Sequence, residues 1–243
     1  MRAVFFDVDF TLIYPGPSLR GHGYQRFCAK HGVDVDPRRF QQAVMGASLV
    51  LDEAQEHIYD AQIFINYTRR IIEHMGGSGH GVEAAAEEIY QEWAACQHFS
   101  LYEDVESTLR QLVASGMRIG LISNTHRSLE VFQRHFELDG LIAGSVSSSQ
   151  HGYMKPHRSI FDAALALLEV NASEAVMVGD SLKHDIDGAR LAGMRGVLVR
   201  RSDTHTFAEP DTEELRRQGV PVIHTLLDLP ALLRETSDVA PGV

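Results

Sequence analysis

Cysteine and lysine are scarce in this 243-residue chain, and no apolar run is long. The two cysteines, Cys28 and Cys96, stand far apart in no metal-ligand spacing, which excludes a thiolate metal centre and leaves free thiols in a reducing cytoplasm as the expectation. No apolar stretch reaches bilayer length, and the first residues lack a basic-then-apolar leader pattern, so no membrane partner is expected. Acidic residues outnumber basic ones, 33 to 22, for a net charge of −11. Without a basic cluster, that balance argues against nucleic acid and reads as a solvated acidic surface. Thirteen histidines are present, but none pair as HxxxH beside a glutamate, so most read as surface or core.

What the chain does have begins at Val4. An apolar run leads into Asp7-Val8-Asp9-Phe10-Thr11, with two aspartates spaced i and i+2. Strand alternation would put both carboxylates on one face. Two negative charges beside a core call for a cation or a proton in compensation. Ile13 to Gly23, with two prolines and three glycines, reads as a loop. From Tyr24 to Ala95 no good strand is found. Helical spacing covers 22–31, 37–45, 51–75 and 82–95, and the glycine cluster Gly76–Gly81 reads as a helix–helix connector.

After Phe99 the pattern alternates between helix and strand. Strands are expected at 118–123, 141–146, 175–179, 195–199 and 221–224. Helices are expected at 103–115, 127–136, 156–169, 186–192 and 226–233. This alternation predicts an α/β fold, a doubly wound and mostly parallel sheet, with an all-helical insertion after the first strand. The expected division is a core of 1–15 and 96–243, a helical segment of 16–95, and a frayed tail from 236 to 243. Ligands of such sheets bind beyond the carboxyl ends of the strands. Asp7, Asp9, Ser123 and Asp180 all fall at such ends.

Four segments then stand in order: Asp7-Val8-Asp9-Phe10-Thr11, Leu121-Ile122-Ser123-Asn124, Lys155-Pro156, and Val178-Gly179-Asp180-Ser181-Leu182-Lys183-His184-Asp185. Together they resemble the signature motifs of the haloacid dehalogenase-like (HAD) hydrolase superfamily, and the helical insertion is similar to that family's cap domain. The resemblance implies a Rossmann-like core and an aspartyl-phosphate mechanism. Asp7 would be the nucleophile. Asp9 would be the acid that protonates the leaving alcohol and later accepts a proton from water. Ser123 and Lys155, with help from Asn124, would hold the phosphoryl oxygens, and Thr11 would support the turn. Asp7, Asp180 and the Asp9 carbonyl would ligate a metal, with Asp185 orienting its water or ligating directly.

The metal can also be argued from charge. Two carboxylates ~4 Å apart at an effective dielectric of ~20 repel by about 4 kcal/mol. Several such pairs would consume a stability of typically ~5–15 kcal/mol. All-oxygen ligands favour Mg2+ as the remedy. Lys155 is one of only three lysines, and a compact ammonium there is not equivalent to arginine. Asp9 favours an ester over a halide as the group expelled, since an alkoxide needs a proton. The expected partner is a small-molecule phosphate ester, with the protein a monomer or homodimer. A phosphomutase, or a phospho-accepting regulatory protein without turnover, stays open. Arg20, His22 and Tyr24 are candidates to face the leaving group.

Overall fold

The structure, a computed structural model, describes residues 1–53, 55–201 and 212–238. In chain order its elements are β1 (Ala3–Phe6), β2 (Ile13–Pro15), α1 (Gly21–Lys30), α2 (Phe40–Ala47), α3 (Ala61–His74), α4 (Val82–Glu92), β3 (Phe99–Leu101), α5 (Val105–Ala114), β4 (Arg118–Ser123), α6 (Leu129–His135) and β5 (Gly144–Ser147). There follow α7 (Ser148–His151), α8 (Arg158–Leu167), β6 (Ala175–Gly179), α9 (Gly188–Leu191), β7 (Arg195–Val199), α10 (Thr212–Arg217), β8 (Val222–Ile223) and α11 (Leu229–Asp238). The chain divides into two compact units. One comprises Met1–Tyr14, Leu101–Asn124 and Leu129–Val243; the other comprises Pro15–Ser100 and Thr125–Ser128.

The first unit is built on a six-stranded sheet in the order β5-β4-β1-β6-β7-β8, parallel throughout. With the six strands renumbered along the chain, this is the doubly wound order 3-2-1-4-5-6, whose switch point lies between β1 and β6. Every residue of β1 is buried. Phe5 and Met177 pack into a cluster with Ile160, Phe161 and Ala164 of α8. Val4 and Phe6 point to the opposite face by alternation. An all-apolar strand is thereby explained: with both faces covered, no position calls for a polar side chain.

In the second unit α3 packs against α2 and α4. Its core includes Tyr24, Ile71, Ile72, Met75, Ala85, Ala86 and Ile89. Thr125–Ser128 belongs here because Arg127 donates to the Trp93 carbonyl at 2.6 Å and stacks 4.3 Å over Phe99, while His126 stacks on Tyr90 at 4.0 Å. Among the described residues no helix is long and apolar enough to cross a membrane.

Several expectations are corrected. Ile13–Pro15, read as loop, is a strand paired with Phe99–Leu101. The helix expected over 51–75 begins only at Ala61. Glu56 and His57 take positive φ, and the Asp60 side chain caps the new start by accepting from the Gln62 N–H at 2.9 Å. The helix expected from 186 opens earlier as a π-helical turn over Leu182–Asp187. The expected tail at 236–243 is helical to Asp238, and 239–243 lie outside the described residues.

Candidate active site

β1 and β6 pair in register, Phe6 opposite Val178, and the Asp7 N–H continues the ladder by donating to the Val178 carbonyl at 2.9 Å. Asp7 therefore leaves the sheet at the switch point, level with the end of β6 and one residue before Asp180. Ser123 ends β4 on the other side of β1, where neighbouring strands run ~4.8 Å apart. Sheet order alone thus gathers three of the motif segments.

The fourth residue group arrives through two loops. Lys155 precedes α8, and its backbone is held by the Asn124 carboxamide. Asn124 Nδ2 donates to the Lys155 carbonyl at 3.0 Å, and the Lys155 N–H donates to Asn124 Oδ1 at 2.7 Å. Asn124, expected at the phosphate, thus has both ends of its side chain engaged by the Lys155 backbone. The Lys155 ammonium then donates to Asp7 Oδ1 and to Asp185 Oδ1, both at 2.6 Å, and is 3 % exposed. Asp185 is delivered by the π-helical turn, and its second oxygen accepts the Ser181 N–H at 2.9 Å. That carboxylate passes so close to β6 that a Cβ on Gly179 would lie 2.2 Å from Asp185 Oδ2. Only glycine fits there.

One oxygen from each of Asp7, Asp180 and Asp185 falls within 4.8 Å of the others. Three carboxyls face one ammonium, and with all three ionised two negative charges would be left over. Burial pushes the Asp7 carboxyl up to about 7; Lys155 pulls it down and Asp185 pushes it up. Burial, together with Asp7 and Asp185, raises Asp180 well above the usual carboxylate range. Burial opposes the charge on Lys155, but Asp185 and Asp7 outweigh it and raise its pKa. The donor set is all oxygen and the surplus charge is two, which suits a hard divalent cation. Ser123 and Thr11 carry buried hydroxyls, both 0 % exposed, whose oxygens have no hydrogen-bond partner among the described residues. A buried hydroxyl left unpaired costs about 1–3 kcal/mol, so a ligand oxygen at Ser123 would recover what folding leaves unsatisfied.

Asp9 lies in the turn beyond β1. β1 stops at Phe6, so the ladder does not fix Asp9, yet Asp9 lies close enough that its charge helps push the Asp7 carboxyl up. The chain instead reverses: Asp9 bridges to Ile13, and Phe10 takes φ +62°. Asp9 lies outside the three-carboxylate group. Tyr24 is fully buried in the helical unit, with its hydroxyl 3.4 Å from Trp93 Nε1. Arg20 donates to the Pro15 carbonyl at 3.0 Å, and His22 Nδ1 lies 3.4 Å from Gln25 Oε1. One residue near the site escaped every sequence pattern. Arg201 donates to the Thr11 carbonyl at 2.7 Å, and only its place just beyond β7, at the carboxyl edge of the sheet, marks it.

A protein-family model described as haloacid dehalogenase-like hydrolase matches residues 1–193. The ribulose-1,5-bisphosphate 5-phosphatase of Halopiger xanaduensis is 29 % identical over 238 residues, covering 95 % of this chain and 98 % of its own. The glyceraldehyde 3-phosphate phosphatase of Methanopyrus kandleri is 29 % identical, covering 83 % of this chain and 84 % of its own. Among solved structures, the HAD-hydrolase YfnB of Bacillus subtilis superposes with a TM-score of 0.72 at 16 % identity, over 96 % of this chain and 98 % of that one.

Proposed function

The chain belongs to the haloacid dehalogenase-like hydrolase family, and from that premise we propose that it is a Mg2+-dependent phosphatase of small phosphate monoesters. The observation that carries this reading is the buried group of Asp7, Asp180 and Asp185 around Lys155, whose ionised form would hold two negative charges in excess. These two relatives, whose names are those of phosphatases of a sugar bisphosphate and a triose phosphate, support the substrate class.

Asp7 is the nucleophile: its carboxylate oxygen bonds to phosphorus as the ester P–O bond breaks. Asp9 delivers its proton to the departing alkoxide, then accepts one from the water that attacks the aspartyl-phosphate, so that inorganic phosphate leaves and Asp7 is regenerated. Lys155 and the Ser123 hydroxyl hold the phosphoryl oxygens, and Asn124 fixes the Lys155 backbone. Asp7, Asp180 and the Asp9 carbonyl, with Asp185, would hold Mg2+, which supplies charge neutralisation for the phosphoryl group when bound. Asp9 is also what argues for an ester over a halide. The helical unit takes the role of the family's cap and sets specificity.

The test is release of inorganic phosphate by the purified protein with Mg2+ across aryl, sugar, triose and nucleotide monophosphates. Turnover that EDTA removes and Asp7→Asn abolishes is expected. No release from any ester would overturn the reading, and phosphate moved between positions of a sugar without release would make the protein a mutase.

A further inference from the structure

The turn that carries Asp9 is held from outside by a buried arginine. Within the turn, Phe10 N–H donates to the Ile13 carbonyl at 2.7 Å, and Leu12 and Ile13 N–H both donate to the Val8 carbonyl, at 2.9 and 3.1 Å. A phenylalanine at φ +62° is an uncommon conformation for a bulky residue, and it persists only where the surroundings impose it. Two carbonyls of the turn are taken by distant residues. Leu12 accepts from the Tyr102 N–H at 3.0 Å, and Thr11 accepts from Arg201 Nη2 at 2.7 Å.

Arg201 is itself aimed. Its Nη1 donates to Asp104 Oδ2 at 2.6 Å, and its guanidinium lies 4.0 Å over the Tyr102 ring. The same Asp104 oxygen accepts from Thr225 Oγ1 at 2.6 Å and from the Leu226 N–H at 2.8 Å. The Arg201 and Asp104 side chains are only 5 % and 10 % exposed. Burying a charged pair adds little stability against an apolar replacement of equal volume. Here the geometry directs the planar fork of the guanidinium at a main-chain carbonyl two residues from Asp9. No motif of the family resemblance contains residue 104, 201 or 225.

We propose that Arg201, oriented by Asp104, is a positioning residue for Asp9: it fixes the turn so that the Asp9 proton reaches the ester oxygen as the P–O bond breaks. This rests on the reading of Asp9 as the general acid. A purely structural ion pair would slow every substrate alike. A positioning role predicts a loss that depends on the leaving group, because a 4-nitrophenolate departs without a proton and an alkoxide does not.

The experiment compares kcat and kcat/KM of wild type, Arg201→Met, Arg201→Lys and Asp9→Asn on 4-nitrophenyl phosphate, phenyl phosphate and glycerol phosphate. Arg201→Lys keeps a cation for Asp104, and it carries the test should Arg201→Met not fold. Asp9→Asn should lose about 10²–10⁴-fold on the alkyl ester and far less on the nitrophenyl ester. The Arg201 variants should show the same selectivity at about 10–100-fold, mainly in kcat, as expected for a displaced catalytic group. An equal fall on all esters in the Arg201 variants, with Asp9→Asn still selective, overturns this inference alone. An unselective Asp9→Asn overturns the reading beneath it. Absence of turnover by wild type removes both.

Discussion

Asp7→Asn should make the metal-free protein more stable above neutral pH while removing its activity. In the folded chain burial drives the Asp7 carboxyl from 3.8 to about 7, with Lys155 lowering it and Asp185 raising it. Once unfolded, the group returns to its ordinary value. Between about pH 4 and 7 the folded state therefore holds a proton that the unfolded state has released, and wild-type stability falls as pH rises through that window. The gap between 3.8 and about 7, at about 1.4 kcal/mol per tenfold change in proton affinity, amounts to about 4 kcal/mol once the pH exceeds both values. Asparagine carries no such penalty, and it also relieves Asp180, whose elevation owes part to Asp7. The pull of Lys155 on the ionised Asp7 is already contained in that gap. The expectation is a gain of about 4 kcal/mol near pH 8, roughly 8–16 °C in Tm for a chain of this size, shrinking to nothing near pH 4. Urea midpoints of EDTA-treated wild type and variant, followed by far-UV circular dichroism between about pH 4 and 8, measure the difference. Parallel curves across pH, or a variant less stable than wild type near pH 8, would refute the idea that uncompensated charge is stored at this site.

Three further outcomes follow from the same geometry. Mg2+ should raise the Tm of wild type more as pH climbs from about 5 to 8, because Asp7 and Asp180 must shed protons to bind it; thermal shift at fixed Mg2+ reads this, and a flat response would count against those ligands. Gly179→Ala would drive a methyl into Asp185 Oδ2 and should weaken Mg2+ binding about 10–100-fold by calorimetry, with the sheet intact by circular dichroism. Asn124→Ala removes both hydrogen bonds on the Lys155 backbone and should cost about 1–3 kcal/mol in urea while raising KM for phosphate esters; an unchanged KM would show that Lys155 is held by other means.

The parts of the site legible in the sequence were those written in short contiguous runs. The strands 118–123, 175–179 and 195–199 have the predicted bounds, because a strand buried on both faces needs only an unbroken apolar run and a polar or glycine stop. Asp9 lies beyond the end of β1 at Phe6, where hydrogen bonds within the turn take over from the ladder, so strand alternation does not place it. The helix over 51–75 failed at Glu56 and His57, whose positive φ no side-chain pattern announces.

Residue identity along the chain determined the chemistry available: acids, one ammonium and a hydroxyl, with Asp7, Ser123 and Asp180 placed at the ends of strand-forming runs. The tertiary structure alone decided which of them meet. Sheet order sets β1 between β4 and β6 and so brings Asp7 beside Ser123 and Asp180. The Arg201–Asp104 pair spans 97 residues, and the Lys155–Asp7 pair spans 148. Contacts of that separation depend on how whole strands dock, a choice made by total burial and hydrogen bonding, which no local run of residues encodes.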